Sequence, residues 1–485
     1  MYTLKKVFPL HTCMLRAFAA EAKVKPKFDF KLTENVAEKV KTGLLKPRHH
    51  PGVLRVGSVC IPDDLLQAAT TALVDYPVEN LIKDGKKLSS YINSRHPPLE
   101  KEEYKDKLAK VIEKVMQTET TDPMSPGLHE EERKRLLDSR RSKVHEKMKK
   151  ETYNWRAIEY NEYNAALYAV ARLAPDFASL IKILSEIKKR DPEFSPPTLL
   201  DFGSGVGSSM WAVDRTWPGA CREAVCIDAS ADMNTLADKL LRGGNCKKPL
   251  RVRPGGTFFK QFLPTSDAHK YELVMCSRSL FELPDIASRL RTIDILWRKT
   301  GGYLIIIESG TNAGYRLVLE ARDYVLELSR RAQEEGDPNL QGHVFSPCSH
   351  DMFCPRFFDG TNIPCNFEVS YKPFTFNKNA NAKTDIFSYV VLKRGKRNED
   401  VEQWPRVVQS PLKCKRHVIC RTCTKYGTLK ELTVTKRRHG KDCYSVCKRT
   451  SWGDLLPIVL PEPEPTNTLD SPTSLSENEN CQLSR

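Results

Sequence analysis

The sequence predicts an α/β protein: a doubly wound sheet, preceded by a charged helical region and followed by a cysteine-rich module. From residue 198, apolar β-branched runs alternate with helical patterns, as parallel strands and crossover helices do. The first of these runs ends in an acid and opens into a glycine-rich turn. After about residue 340 the alternation gives way to cysteines, prolines and aromatics in irregular order. At 485 residues the chain has room for two or three domains. Its 40% apolar content excludes a wholly disordered or collagen-like polymer.

Residues 1–20, MYTLKKVFPLHTCMLRAFAA, carry Lys5, Lys6 and Arg16, no acid, and no long apolar run. That composition reads as a mitochondrial presequence rather than a secretory signal. Residues 21–155 read as a charged, mostly helical region. Within it EKEEYKDKLAKVIEKVM and EEERKRLLDSRRSKVHEKMKK read as exposed helices with charge pairs four residues apart. TTDPMSPG, residues 120–127, reads as their linker. In 156–190 apolar residues return at helical spacing (Ala166, Leu167, Ala169, Val170 and Leu173, then Phe177, Leu180, Ile181 and Leu184). These helices are expected to pack in front of the sheet, within a domain spanning 156–340.

TLLDFG, EAVCIDAS, YELVMCSRS and YLIIIESG read as four strands, separated by helices such as DMNTLADKLLRG and SRLRTIDILWRKTGG. Strands this apolar are buried on both faces, as a parallel sheet between helix layers requires. Residues 341–457 form the cysteine-rich module, with short strand-like runs IFSYVVLKRG and LKELTVTKR. Residues 458–485 read as an acidic, Pro/Ser/Asn-rich disordered tail.

The glycine loop reads Asp201-Phe202-Gly203-Ser204-Gly205-Val206-Gly207. A nicotinamide fingerprint would place its third glycine at 208, which is Ser208. The D-x-G-x-G-x-G order instead looks like motif I of class I S-adenosylmethionine-dependent methyltransferases. Asp201 would balance the cationic aminoacyl end of that ligand. Asp228, at the end of the next strand, would accept its ribose hydroxyls. A glycine turn without a ligand is the plainer alternative. The third strand ends Met275-Cys276-Ser277-Arg278, with no Asn/Asp-Pro-Pro-aromatic acceptor run, and Cys276 reads as a buried thiol. Methyl-transfer activity is therefore left open, because the domain lacks an evident acceptor motif.

Of fifteen cysteines, eight fall within residues 348–447. Two metal readings compete. Cys420, Cys423, Cys443 and Cys447 have the spacing of a zinc ribbon. Alternatively Cys348, Cys354 and Cys365, each beside a proline, join one cysteine of the Cys420/Cys423 pair around an iron–sulfur cluster. Unliganded thiols are the plain alternative to both.

Lys and Arg number 77 against 61 acids, a net charge of +16, which favours a polyanionic partner. Residues 393–450 hold 17 Lys/Arg and 5 acids, and read as an RNA-facing surface. No apolar run reaches membrane-spanning length, so no membrane insertion is expected. The chain reads as a monomer.

LLDFGSGVGSSMWA, WRKTGGYLIIIESGTNAG, HVFSPCSHDMFCP, PRVVQSPLKCKRHVIC, VTKRRHGKDCYSV and SWGDLLP together resemble one family, over about residues 155–457. It is the mitochondrial small-subunit ribosome assembly family of methyltransferase-like protein 17. The resemblance implies a Rossmann-like class I methyltransferase sheet, a C-terminal module with a [4Fe–4S] cluster, a mitochondrial matrix location, and binding to the small ribosomal subunit and its rRNA. It implies cluster ligands Cys348, Cys354, Cys365 and Cys423, with Cys420 as the fallback for the fourth. It implies S-adenosylmethionine at Asp201, Gly203, Gly205, Gly207 and Asp228. Two functional alternatives stand beside an assembly factor: an active rRNA methyltransferase and a zinc-ribbon RNA-binding protein.

Overall fold

A computed structural model of the chain describes residues 30–118, 127–151, 158–250, 256–266, 268–374 and 381–462. The expected presequence, most of the 120–127 linker and most of the acidic tail lie outside the described residues.

A short strand β1 (Lys31–Leu32) precedes α1 (Glu34–Lys41), α2 (Asp63–Ala72), α3 (Val78–Ser94), α4 (Lys101–Thr118), α5 (Glu130–Glu151) and α6 (Glu162–Arg190). Strands and helices then alternate: β2 (Thr198–Phe202), α7 (Ser208–Thr216), β3 (Glu223–Ile227), α8 (Ala231–Leu241), β4 (Gly256–Lys260), β5 (Tyr271–Ser277), α9 (Ile286–Arg298), β6 (Thr300–Ser309) and α10 (Asn312–Glu335). Next come β7 (Gly342–Ser346), β8 (Phe367–Tyr371) and β9 (Lys383–Arg394). The chain closes with β10 (Arg406–Val407), β11 (Leu412–Lys413), β12 (His417–Cys423), β13 (Leu429–Thr435), α11 (Lys436–Arg449) and β14 (Ile458–Val459).

The main sheet has eight strands in the order β4-β3-β2-β5-β6-β9-β7, with β8 also paired to β9. β2 to β6 are parallel, and β9 enters antiparallel between β6 and β7. Alternate residues of each strand face opposite sides. Leu199, Ile305 and Ile307 join the core that holds α6 and α7; Leu200, Leu304 and Ile306 join the core under α9 and α10. Each such side chain contributes about 1.5–3 kcal/mol on burial, which is why these strands tolerate no polar face. The strand order reverses at β2, between β3 and β5, and this is where ligands bind in open α/β sheets.

Three expectations change. The sheet runs on to Arg394, so the expected boundary at 340 falls inside it. IFSYVVLKRG belongs to β9 and the main sheet, not to the last module. The edge strand β4 went unrecognised because GTFFK is half-exposed and lacks an apolar run.

The two helical patterns in 156–190 form one helix, α6, which continues through Pro175. Asn161 caps its start by accepting from the Asn164 amide at 2.9 Å, and Lys188, Lys189 and Arg190 sit at the negative end of its dipole. The helical region before it is not one layer. Leu65, Ala68, Ala69, Ala72, Leu73 and Leu81 of α2 and α3 belong to the main core. α4 and α5 share a small core of their own through Val111, Val115 and Met148. Phe30, Leu32, Val36 and Val40 pack instead with Val407, Val418, Leu432 and Val434 of the C-terminal module. β1 pairs there with β14, more than four hundred residues away.

β7 and β8 lie along the same edge of β9, at its opposite ends. The chain between them is thus pinned at both ends, and it carries Cys348, Cys354 and Cys365. β12 is the centre of a second, four-stranded sheet, with β13 on one side and β10 and β11 on the other. No helix among the described residues is long and apolar enough to cross a membrane.

Candidate functional site

The glycine loop lies at the carboxyl end of β2, as expected. Gly203, Gly205 and Gly207 have φ of +68°, +51° and +79°. A Cβ at Gly203 would sit 1.8 Å from the Ser279 hydroxyl, so this glycine is required by the protein itself. A Cβ at Gly205 would meet only the Tyr168 ring, at 3.8 Å, so this glycine faces the open side of the loop.

Asp201 is fully buried, and neither carboxylate oxygen has a hydrogen-bond partner. Burial raises its pKa to about 7, with the nearby Ser209 side chain, outside hydrogen-bonding geometry, opposing the rise and the Asp228 charge adding to it. Asp228 ends β3 and accepts the Gly205 amide at one oxygen and the Ser230 amide at the other, both at 2.9 Å. A carboxylate has about four lone-pair sites, so two remain for a ligand hydroxyl pair. Ser230 in turn donates to the Tyr160 carbonyl at 2.5 Å, which ties the segment before α6 to the crevice.

Cys276 is fully buried, and burial holds its thiol well above the ordinary range, as expected of a packing residue. Arg278, just beyond β5, takes a left-handed φ of +61°. Its guanidinium pairs with Asp385 at 2.8 Å and Asp176 at 3.4 Å. Arg172 closes the lattice, reaching Asp176 at 2.5 Å and Asp385 at 3.3 Å. A buried charge network fills the place where a methyl-acceptor motif would stand.

The second site is a cavity. Cys348, Cys354, Cys365 and Cys423 line it together with Pro347, Pro355, Arg356, Phe367, Arg406, Val408 and Leu429. The space between these residues is narrow, about 10 Å³, room for a single water. Burial pushes the Cys348 thiol up to about 11 and holds Cys365 and Cys423 well above the ordinary thiol range, with the neighbouring cysteines adding to each shift. The Tyr315 hydroxyl donates to the Cys354 sulfur at 3.3 Å, and His350 Nε2 lies 3.3 Å from the Cys423 sulfur. Among the described residues, no three His, Cys, Asp or Glu side chains are arranged to hold a single metal ion.

Strand parity separates the two cysteines of β12. On β12, Val418, Cys420 and Thr422 share one face, and Cys423 points from the other. Cys420 is fully buried with Cys443 and Cys447 of α11, in the core of the C-terminal module. Cys447 is raised by contacts with the Cys420 and Cys443 sulfurs. The zinc-ribbon set is therefore split: its sequence spacing places Cys423 in one cavity and the other three behind the strand.

The basic stretch is also divided. Arg406 is buried, Arg394 lies 3.8 Å over the Trp297 ring, Lys393 pairs with Asp191 and Arg397 with Asp351. Arg421 pairs with Glu431. These are structural cations, contrary to a uniform RNA-facing surface. Lys396, Lys413, Lys415, Arg416, Lys425, Arg437, Lys441, Lys448 and Arg449 remain exposed. Sequence reasoning also missed Arg322, Arg356 and Glu186 beside the cavity, because an isolated Arg or Glu carries no spacing signal.

Strand order and glycine loop together define an α/β protein of class I methyltransferase topology, extended by a cysteine-rich module. A family model described as the mitochondrial small ribosomal subunit Rsm22 matches residues 162–457. The chain belongs to this family. It is 37% identical over 436 residues to the human ribosome assembly protein METTL17, mitochondrial, covering 89% of this chain and 91% of that protein. It is 24% identical to the Rsm22-cox11 tandem protein 2, mitochondrial, of Schizosaccharomyces pombe, covering 80% of this chain and 53% of that protein. Magnesium protoporphyrin IX methyltransferase from Synechocystis, solved with bound SAH, overlays at a TM-score of 0.30 and 13% identity, covering 54% of this chain and all of that one.

Proposed function

We propose that the chain is a mitochondrial matrix assembly factor that binds the immature small ribosomal subunit and its rRNA. In this reading it retains an S-adenosylmethionine-type pocket and holds a [4Fe–4S] cluster. The single observation that carries the reading is the convergence of four cysteines, 75 residues apart from first to last (423 − 348), on one cavity. The donor set fits the cluster: four soft thiols, two buried and two half-buried, with arginines close by to offset thiolate charge. The crevice fits its ligand through Asp201, a buried carboxylate with no partner, and through the open side of Gly205.

Cys348, Cys354 and Cys365 from the pinned loop and Cys423 from β12 would hold the cluster. With these four cysteines on one cluster, the pinned loop and β12 would be joined, main sheet to C-terminal module. Asp201 would face the cationic end of the adenosylmethionine-type ligand, and Asp228 would accept its ribose hydroxyls while keeping the Gly205 turn in place. The ligand could supply a methyl group, but Arg278, where an acceptor motif would stand, is committed to Asp176 and Asp385. The pocket is accordingly read as structural or regulatory, and the exposed lysines and arginines of 396–449 as phosphate contacts.

Iron analysis and the visible spectrum of anaerobically purified protein test the reading. Iron–sulfur absorbance is expected, and zinc without iron would end it. For the crevice, Asp228→Ala with Gly205→Val should abolish cofactor binding while assembly survives. Loss of an rRNA methyl mark in cells carrying that variant would favour the methyltransferase alternative.

A further inference from the structure

Two arginines line the four-cysteine cavity and a third, Arg322, interacts electrostatically with Cys348 and Cys354, each with its own set of partners. Arg406 is 2% exposed and lines the cavity. Its Nε donates to the Pro347 carbonyl at 2.9 Å, and its other nitrogens reach Glu186, Gly453 and Ser346. All its nitrogens are committed, so it supplies a fixed charge and orients the peptide leading into Cys348. Arg356 also lines the cavity and pairs with Asp359 at 2.8 Å through one terminal nitrogen. Arg322 donates to the carbonyls of His350 and Met352 and pairs with Asp323. In both Arg322 and Arg356, Nε is buried and has no acceptor.

An unpartnered donor on a buried cation is costly, so it marks a place where an acceptor belongs. Pairing each arginine with a single acid leaves these N–H groups aside. Sulfur atoms of a bound cluster are acceptors of the right charge.

We propose that Arg322, Arg356 and Arg406 are positioning residues for the iron–sulfur cluster, with the Nε donors of Arg322 and Arg356 turned to its sulfurs and Arg406 acting as a fixed charge. The assignment rests on the proposed cluster. Its consequence is electrostatic: reduction adds an electron to an already anionic cluster, so each nearby guanidinium favours the reduced form and raises the midpoint potential.

Arg356 and Asp359 allow a test by sign, on full-length protein purified without oxygen. Arg356→Gln should lower the midpoint potential and hasten iron loss to a chelator. Asp359→Asn removes the opposing charge from the same loop and should raise the potential. Arg356→Lys keeps the charge and should fall between Arg356→Gln and wild type. A purely structural role would move Gln and Asn variants in the same direction. That result, or unchanged potentials in iron-loaded Arg356→Gln and Arg356→Lys proteins, would overturn the assignment while leaving the cluster intact. Iron-free wild-type protein would overturn the cluster reading itself. Should Arg356→Gln not retain its cluster, the Lys and Asn variants still carry the opposite-sign comparison.

Discussion

The glycine crevice and the cysteine cavity both bury groups that call for a ligand, but they are built differently. The crevice is assembled within one strand–helix–strand unit, from Asp201 to Asp228. Its key carboxylate, Asp228, already holds two backbone amides, so the loop keeps its shape alone. The cavity draws its walls from two sheets, and its four cysteines line unfilled space between them. A local site can lose its ligand and stay folded. A site closed between distant segments depends on what it holds.

The largest expected effect breaks the cavity. Cys423→Ser should lose the cluster and release the C-terminal module, read as loss of iron and early proteolysis within residues 395–457. Cys420→Ser, three residues away, should keep its iron and cost only about 1–3 kcal/mol for a buried hydroxyl. Equal iron loss in the two would mean that strand parity does not select the ligand.

Next comes the joint between cavity and sheet. Glu186→Gln leaves buried Arg406 without its carboxylate and should cost about 3–5 kcal/mol in denaturant unfolding. A change near zero would show that the pair is not part of the joint. Burial alone would raise Glu186, but Arg406 and Arg190 outweigh it and bring its pKa to about 2 from 4.5. Its contribution is full above about pH 4.5 and is lost as pH falls towards 2.

The crevice should respond more mildly. Gly203→Ala must strain a left-handed backbone, about 1–2 kcal/mol, and displace Ser279. Calorimetry should show adenosylmethionine binding abolished with iron content unchanged. Simultaneous iron loss would show that the two sites are not independent.

Asp201 sharpens the contrast through pH. Its folded pKa of about 7 lies above the ordinary 3.8, because burial disfavours the charge. The unfolded chain releases this proton first, so stability declines as pH rises from about 4 to about 7. Asp201→Asn should gain on wild type through that window, seen as a flatter melting temperature against pH. A parallel pair of curves would place the carboxylate in water.

The smallest effect belongs to the surface. Lys425→Ala or Lys441→Ala should reduce the slope of log affinity for rRNA against log salt by about 0.7–0.9 for each phosphate left unneutralised. An unchanged slope would remove that lysine from the RNA face, whereas Lys393 is expected to affect stability because it pairs with Asp191.

Much of the crevice could be read directly. Apolar runs in β2, β3, β5 and β6 announced doubly buried strands, and the glycines marked the turn between them. These signals lie within a few residues of one another, where backbone geometry and side-chain period act. β4 escaped because a half-exposed edge strand needs no apolar run. The end of the sheet was misplaced because β9 joins antiparallel, from beyond the cysteine loop, and nothing local to 383–394 says which strand it will meet.

The residues alone therefore carried the local chemistry: which segments become buried strands, where the chain must turn left-handed, and which side chains can bind soft metal. The pairing of β1 with β14, the separation of Cys423 from Cys420 onto opposite faces of β12, and the arginines beside the cavity emerged only on folding. The physical reason is that such neighbours are set by the summed packing of three cores. No interval along the chain encodes a distance that closes only when two sheets meet.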